Sequence, residues 1–137
     1  MGMFVNPDNS AFQVALNSEI YVDKTGIIKY TNRVLNTLQG YICNSRPRRF
    51  GKSYAANMLA AYYSKGADSE KMFSGLAISR CIDFKKHLNQ YDVIHIDIQW
   101  FLANCNDANK VVAFITKSVL DELRDLYPEI LTQETGT

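Results

Sequence analysis

Tyr41-Ile42-Cys43-Asn44-Ser45-Arg46-Pro47-Arg48-Arg49-Phe50-Gly51-Lys52-Ser53 is a short apolar run, then a basic turn, then residues that can open a helix. The order expected from it is strand, phosphate loop, helix. In the pattern G-x-x-x-x-G-K-[ST], backbone N–H groups curl round the phosphates of a nucleotide, the lysine ammonium reaches the same oxygens, and the hydroxyl holds Mg²⁺. Gly51, Lys52 and Ser53 supply the second half of that pattern. Arg46 stands where its first glycine belongs, a position at which the chain leaves the strand sharply and unrestricted φ is useful. The candidate cradle is therefore Arg48, Arg49, Phe50, Gly51, Lys52 and Ser53, with Ser53 as the candidate magnesium ligand. A different reading makes Arg46 to Arg49 a solvated basic turn, or a patch for nucleic acid or a protein partner.

The flanks decide how much weight the tripeptide carries. Tyr41 to Cys43 fits a buried strand, with Cys43 as a small buried hydrophobe. Ser53 to Ser64 reads as a helix whose free N–H groups and positive dipole end point at an anion, with Ala55, Ala56, Leu59, Ala60 and Tyr63 along its apolar stripe. Upstream, residues 1–18 read as an irregular arm with one helical turn. Asp23 then caps a helix from about Lys24 to Asn36, on which Ile27, Val34 and Leu38, with Tyr30 or Thr31 between, share one face.

Downstream, Asp68 to Phe73 and Phe84 to Leu88 read as short helical pieces, with His87 at the surface. Tyr91 to Ile98 is the second clear strand: Val93, Ile94, Ile96 and Ile98 form the near-continuous apolar run expected of a parallel sheet covered on both faces. His95 inside it reads as a hydrogen-bonded core or edge histidine. Asp97 near its C-terminal end stands where open α/β sheets bind ligands, which makes it a second candidate magnesium ligand; the competing role is bonding loop N–H groups. Asn106 or Asp107 caps a last helix with Val112, Ile115, Val119, Leu123 and Leu126 inward, Asp121, Glu122 and Asp125 on its solvated side, and Pro128 at its stop.

Four segments taken together resemble a known family. Tyr21-Val22-Asp23-Lys24-Thr25-Gly26, the run Ser45 to Ser53, Asp68 to Leu76 and Tyr91 to Asp97 occur in the order seen in the AAA-ATPase-like family of bacterial P-loop proteins. The resemblance covers nearly the whole chain, and S-R-P-R-R-F-G-K-S is similar to that family's own variant of the Walker A motif. It implies ATP and Mg²⁺ as ligands, a P-loop NTPase fold, and a possible place for Tyr21 to Gly26 against the adenine base; a packed helix with a polar cap is the other reading of that segment. It also implies that the acids activating water lie on a later strand with a D-E pair, and Ile98 after Asp97 does not match such a pair.

Composition bounds the rest. At 137 residues the chain has room for one domain, and 47% hydrophobic with 12% aromatic residues place it with core-forming proteins. Fifteen basic residues against fourteen acidic leave +1, so no global field draws it to nucleic acid or membrane. Three widely spaced cysteines, Cys43, Cys81 and Cys105, without a C-x-x-C, and no leader-like or membrane-spanning apolar stretch, give the expectation of a reduced, cytoplasmic protein.

Two strands separated by helical segments predict α/β architecture, a partial P-loop NTPase with a three-layer, mainly parallel sheet of which only about two core strands are present. The resemblance explains that shortage by making residues 1–137 the N-terminal portion of a longer domain, completed by its C-terminal portion or an oligomeric partner. Nucleotide binding is the expected function. No residue of this stretch supplies a convincing acid for hydrolysis.

Overall fold

The computed structural model describes residues 2–44 and 52–131. Eight helices run through them: α1 (Ser10–Leu16), α2 (Gly26–Val34), α3 (Lys52–Tyr63), α4 (Glu70–Phe73), α5 (Phe84–His87), α6 (Ile98–Ala103), α7 (Val111–Leu126) and α8 (Pro128–Leu131), with 3₁₀ turns at Ala77–Arg80 and Ala108–Lys110.

The expected α/β sheet is absent from the described residues, which contain no strand. Extended pairing is limited to two isolated bridges, Val5 with Ile94 antiparallel and Ser64 with Tyr91 parallel. A strand exists only through a continuous ladder with its neighbours: residues 91–95 make single bridges on either side, and Tyr41–Cys43 make none. Tyr41 is 97% exposed, Ile42 46%, and Cys43 is exposed too, so the buried strand and buried thiol expected there are both corrected. Between Tyr91 and Ile98 the backbone is extended only as far as Asp97, where a helix begins, and Ile94 and Ile98 are 53% and 51% exposed. Two apolar runs without a third to pair them make no stable sheet, so the chain is organised by helix packing instead.

Burial centres on α3. Its inward residues are Ala55, Met58, Ala60, Ala61 and Tyr62; Ala55 and Ala60 of the predicted stripe are among them, while Ala56, Leu59 and Tyr63 are half-buried. Against it pack Phe12 from α1, Ile28 from α2, Phe73 from α4, Ile78, Phe84 and Leu88. The residue 1–18 region is thus more ordered than expected, because Phe12 on α1 is fully buried and stacks on Phe73 at 4.9 Å. Left-handed Gly66 (φ +83°) follows α3 and Gly75 (φ +86°) follows α4, where a side chain would meet backbone strain.

Helix α2 stops at Val34 rather than Asn36, and Asn36 takes φ +59°, a conformation its short amide side chain tolerates. Leu38 therefore lies past the helix and is exposed; the buried positions of α2 are Ile28, Thr31, Asn32 and Val34. Thr31 and Asn32 enter a buried polar network. The Tyr63 hydroxyl donates to Asn32 Oδ1 at 2.6 Å, Asn32 Nδ2 donates to the Tyr62 hydroxyl at 3.1 Å, and that hydroxyl donates to the Phe84 carbonyl at 2.7 Å. Burial pushes the Tyr62 phenol up to about 12.

A second cluster sits apart from the first: Phe4, Trp100, Phe101 and Phe114 meet with centroids 4.8–6.1 Å apart. It is closed by residues 2–6, and here the sequence misleads about Glu122. That carboxylate is not on a solvated face. It accepts three successive backbone N–H groups, from Met3 at 2.7 Å, Phe4 at 2.9 Å and Val5 at 2.8 Å. Val112, by contrast, was expected inward and is exposed.

Asp92 ties the same region to the end of α7 and to the turn after α3. The Tyr127 hydroxyl donates to Asp92 Oδ1, Asn6 Nδ2 donates to it at 3.0 Å, and Lys65 Nζ pairs with Oδ2 at 3.0 Å. These bonds, the tyrosine first, hold the Asp92 carboxyl down to about 2 from 3.8. The folded value lies below the unfolded one, so the stabilisation is complete above about pH 4 and is lost as pH falls toward 2. Asp92→Asn is expected to flatten the acid limb by about one proton, read as the urea midpoint between pH 5 and 2; an unchanged limb would assign the acid sensitivity elsewhere.

Candidate functional site

Among the sequence-predicted site residues, Arg48, Arg49, Phe50 and Gly51 lie outside the described residues. Lys52 is the first residue of α3 and Ser53 the second, with an exposed side chain. Lys52-Ser53 therefore falls at a helix N-terminus, where the first backbone N–H groups have no intrahelical acceptor. Helix α3 is twelve residues long, has no acidic residue in its first turn, and is anchored by Ala55, Met58, Ala61 and Tyr62 in the core. The N-terminal end of α3 is thus electropositive and belongs to a core-anchored helix.

The segment Tyr21 to Gly26 is brought to this first turn. Tyr21 and Tyr54 lie with ring centroids 6.1 Å apart, and Lys24 Nζ stands 5.8 Å from the Tyr54 ring. Both phenol oxygens are buried, and among the described residues neither finds a hydrogen-bond partner outside the Tyr21–Tyr54 pair. Burial, with the Tyr54 hydroxyl beside it, holds the Tyr21 hydroxyl well above the usual phenol range. Neighbouring residues pin the segment in place. Asp23 Oδ1 accepts from Thr25 N–H at 2.9 Å and Thr25 Oγ at 2.6 Å, while its other oxygen accepts the Ala77 N–H at 2.7 Å. Thr25 Oγ in turn accepts the Ile78 N–H at 3.1 Å. The Asp23 carboxyl is depressed, the bonds from Thr25 and Ala77 outweighing its desolvation. Asp23 thus shapes the turn before α2 and fastens it to the 3₁₀ turn, a broader role than the helix cap expected of it.

Asp97 is placed elsewhere. It is the N-cap of α6: Oδ1 accepts from Gln99 N–H at 3.0 Å and Trp100 N–H at 3.3 Å. This is the loop-bonding role weighed against the magnesium role. The small hollow beside it, about 140 Å³, is lined by Met3, Phe4, His95, Asp97 and Trp100 and does not include Ser53. Among the described residues no group of three His, Cys, Asp or Glu side chains could hold a metal. His95 stands at an edge, its backbone N–H bonded to the Phe4 carbonyl at 2.8 Å. His87 is half-buried rather than at the surface, its Nδ1 2.6 Å from the Tyr91 hydroxyl. Cys43, Cys81 and Cys105 are free thiols.

A family model described as a predicted AAA-ATPase matches residues 10–135. The chain belongs to that family. Neither the curated proteins nor the solved structures returned a match. Within this AAA-ATPase-like chain, the matched span contains α3, the Tyr21–Gly26 segment and the stretch that ends at Asp97. No helix among the described residues is long and apolar enough to cross a membrane.

Tyr54 was missed by the sequence reading of the site. Its only signal was position: the residue after G-K-S must lie on the first turn of any helix that the motif opens.

Proposed function

We propose that this chain binds a nucleoside triphosphate, ATP with Mg²⁺, at the residues leading into α3. The observation that carries the reading is the coincidence of Lys52-Ser53 with the N-terminus of a core-anchored helix in a chain of the predicted AAA-ATPase family. Free N–H groups and the helix dipole favour an anion there. Lys52 would neutralise the β- and γ-phosphates, the exposed Ser53 hydroxyl would ligate magnesium, and the backbone from Arg48 to Ser53 would form the cradle. Magnesium, when bound, neutralises the phosphate oxygens. The Oδ1 of Asp97 is already engaged in capping α6, so the metal role is assigned to Ser53 alone. The buried hydroxyls of Tyr21 and Tyr54 lie beside the same helix turn.

Binding is the extent of the proposal. Hydrolysis needs an acid that orients water, and the first turn of α3 offers none.

Titration of the chain with ATP, with and without Mg²⁺, tests the reading. Lys52→Ala is expected to weaken affinity about a hundredfold, on the scale of two lost charge-assisted bonds; unchanged affinity would remove the phosphate site. The competing assignment of Arg46 to Arg49 to nucleic acid would show as magnesium-independent DNA binding that falls steeply with salt and ignores nucleotide.

A further inference from the structure

The hollow beside Asp97 has walls of two kinds. The Phe4 and Trp100 rings, with centroids 5.6 Å apart and planes at 60°, form an aromatic corner. His95 and Asp97 face it together, being two residues apart on the extended backbone that enters α6. Met3, 58% exposed, supplies a flexible apolar edge. No lysine or arginine lines the hollow, and a second carboxylate, that of Glu122, is bonded to the backbone of Met3 and Phe4 in its wall.

These walls are set by contacts of their own. Phe4 N–H donates to Glu122 at 2.9 Å, and the Phe4 carbonyl accepts from His95 N–H at 2.8 Å, which places both residues. The Trp100 ring is backed by Phe101 at 5.1 Å and Phe114 at 6.1 Å. A ligand entering here orders little that is not already ordered. Asp97 keeps acceptor capacity: both cap bonds, from Gln99 and Trp100, fall on Oδ1, and among the described residues Oδ2 accepts none.

We propose that this hollow binds an organic ammonium group, R–NH₃⁺, of the kind that ends a lysine side chain. The faces of the Phe4 and Trp100 rings attract a cation, the Asp97 carboxylate pairs with it, and the neutral imidazole of His95 offers a nitrogen acceptor. Ammonium is preferred to guanidinium because of Asp97. A guanidinium fork pairs with both oxygens of a carboxylate, and one of these is committed to capping α6, whereas an ammonium needs only the other. At about 140 Å³ the hollow suits a short alkylamine rather than a nucleotide, so the inference stands apart from the phosphate site at α3.

Trp100 is the sole tryptophan of the chain, so its emission reads occupancy directly. The full chain is titrated at constant ionic strength with n-butylammonium and, separately, with n-butanol, which has nearly the same shape and no charge. A saturable change with a midpoint on the order of millimolar is expected for the amine, and a midpoint at least about tenfold higher for the alcohol. Asp97→Asn removes the charge but keeps an N-cap of equal quality, so α6 is retained and amine affinity should fall by at least about tenfold. The alcohol comparison needs no variant. An emission that does not saturate below about 100 mM amine, an equal response to the alcohol, or undiminished binding by a folded Asp97→Asn chain would each overturn the proposal. Acetyl-Gly-Lys-Gly-amide then separates the sources of the cation: tighter binding than butylammonium assigns the hollow to a lysine of a peptide or protein, and equal or weaker binding assigns it to a small free amine.

Discussion

Phe73→Ala is expected to destabilise the chain by about 3–5 kcal/mol, the range for removing a fully buried aromatic side chain. Phe73 is the hub of the main core: it stacks on Phe12 at 4.9 Å and meets Tyr62 edge-on at 5.5 Å and Phe84 at 6.5 Å. It is also the buried residue of α4, a four-residue helix without a side-chain cap bond. Without Phe73 only the half-buried Met72 docks α4 on the core, and the cavity left behind is walled by the rings of Phe12, Tyr62 and Phe84. Against a total stability of about 5–15 kcal/mol this is a large fraction, and the thermal midpoint should drop by about 10 °C or more. Phe73→Leu should recover part of the loss, because it fills part of the volume. A Phe73→Ala chain that melts at the wild-type temperature would show that the ring cluster is not the core that holds the helices together.

Glu122→Ala is the second large effect, and it is local. Three N–H groups now converge on one carboxylate, an arrangement that charge-assists each bond. Because the released N–H groups regain water, the net loss should be about 1–3 kcal/mol rather than the sum of three bonds. The sharper readout is hydrogen exchange. The amides of Met3, Phe4 and Val5 should lose protection by at least about tenfold, while those of α3 keep theirs, because α3 belongs to the other cluster. Glu122→Gln keeps an acceptor oxygen without the charge and should fall between the two. Unchanged protection at residues 3–5 in Glu122→Ala would mean that Phe4 packing alone seats the segment.

The helices α2, α3, α5 and α7 were legible from the sequence, in order and nearly in extent, because each carries its own local signals. Gly66 and Gly75, both left-handed, follow the ends of α3 and α4. The sheet was not legible in the same way: Tyr41–Cys43 and Tyr91–Ile98 have the composition of buried strands, yet composition does not supply a neighbour. Faces were also harder than elements. The stripe predicted on α2 ran through Leu38, but the helix had already ended at Val34. Of the site, Lys52-Ser53 at a helix start and the loop-bonding role of Asp97 were visible in advance, whereas Tyr54 beside Tyr21 depends on how α3 is set.

What the sequence determined by itself was the family, the helical segments and the position of the phosphate-loop motif, all of which follow from residue order within a few turns. What only the tertiary structure decided was whether an apolar run finds a partner and whether a charge finds a donor. Glu122 and Asp97 are acids of ordinary local context; three amides from the far end of the chain and two from its own helix give them their roles. Long-range pairing is a property of which surfaces meet, and no spacing along one segment encodes the surface presented by another.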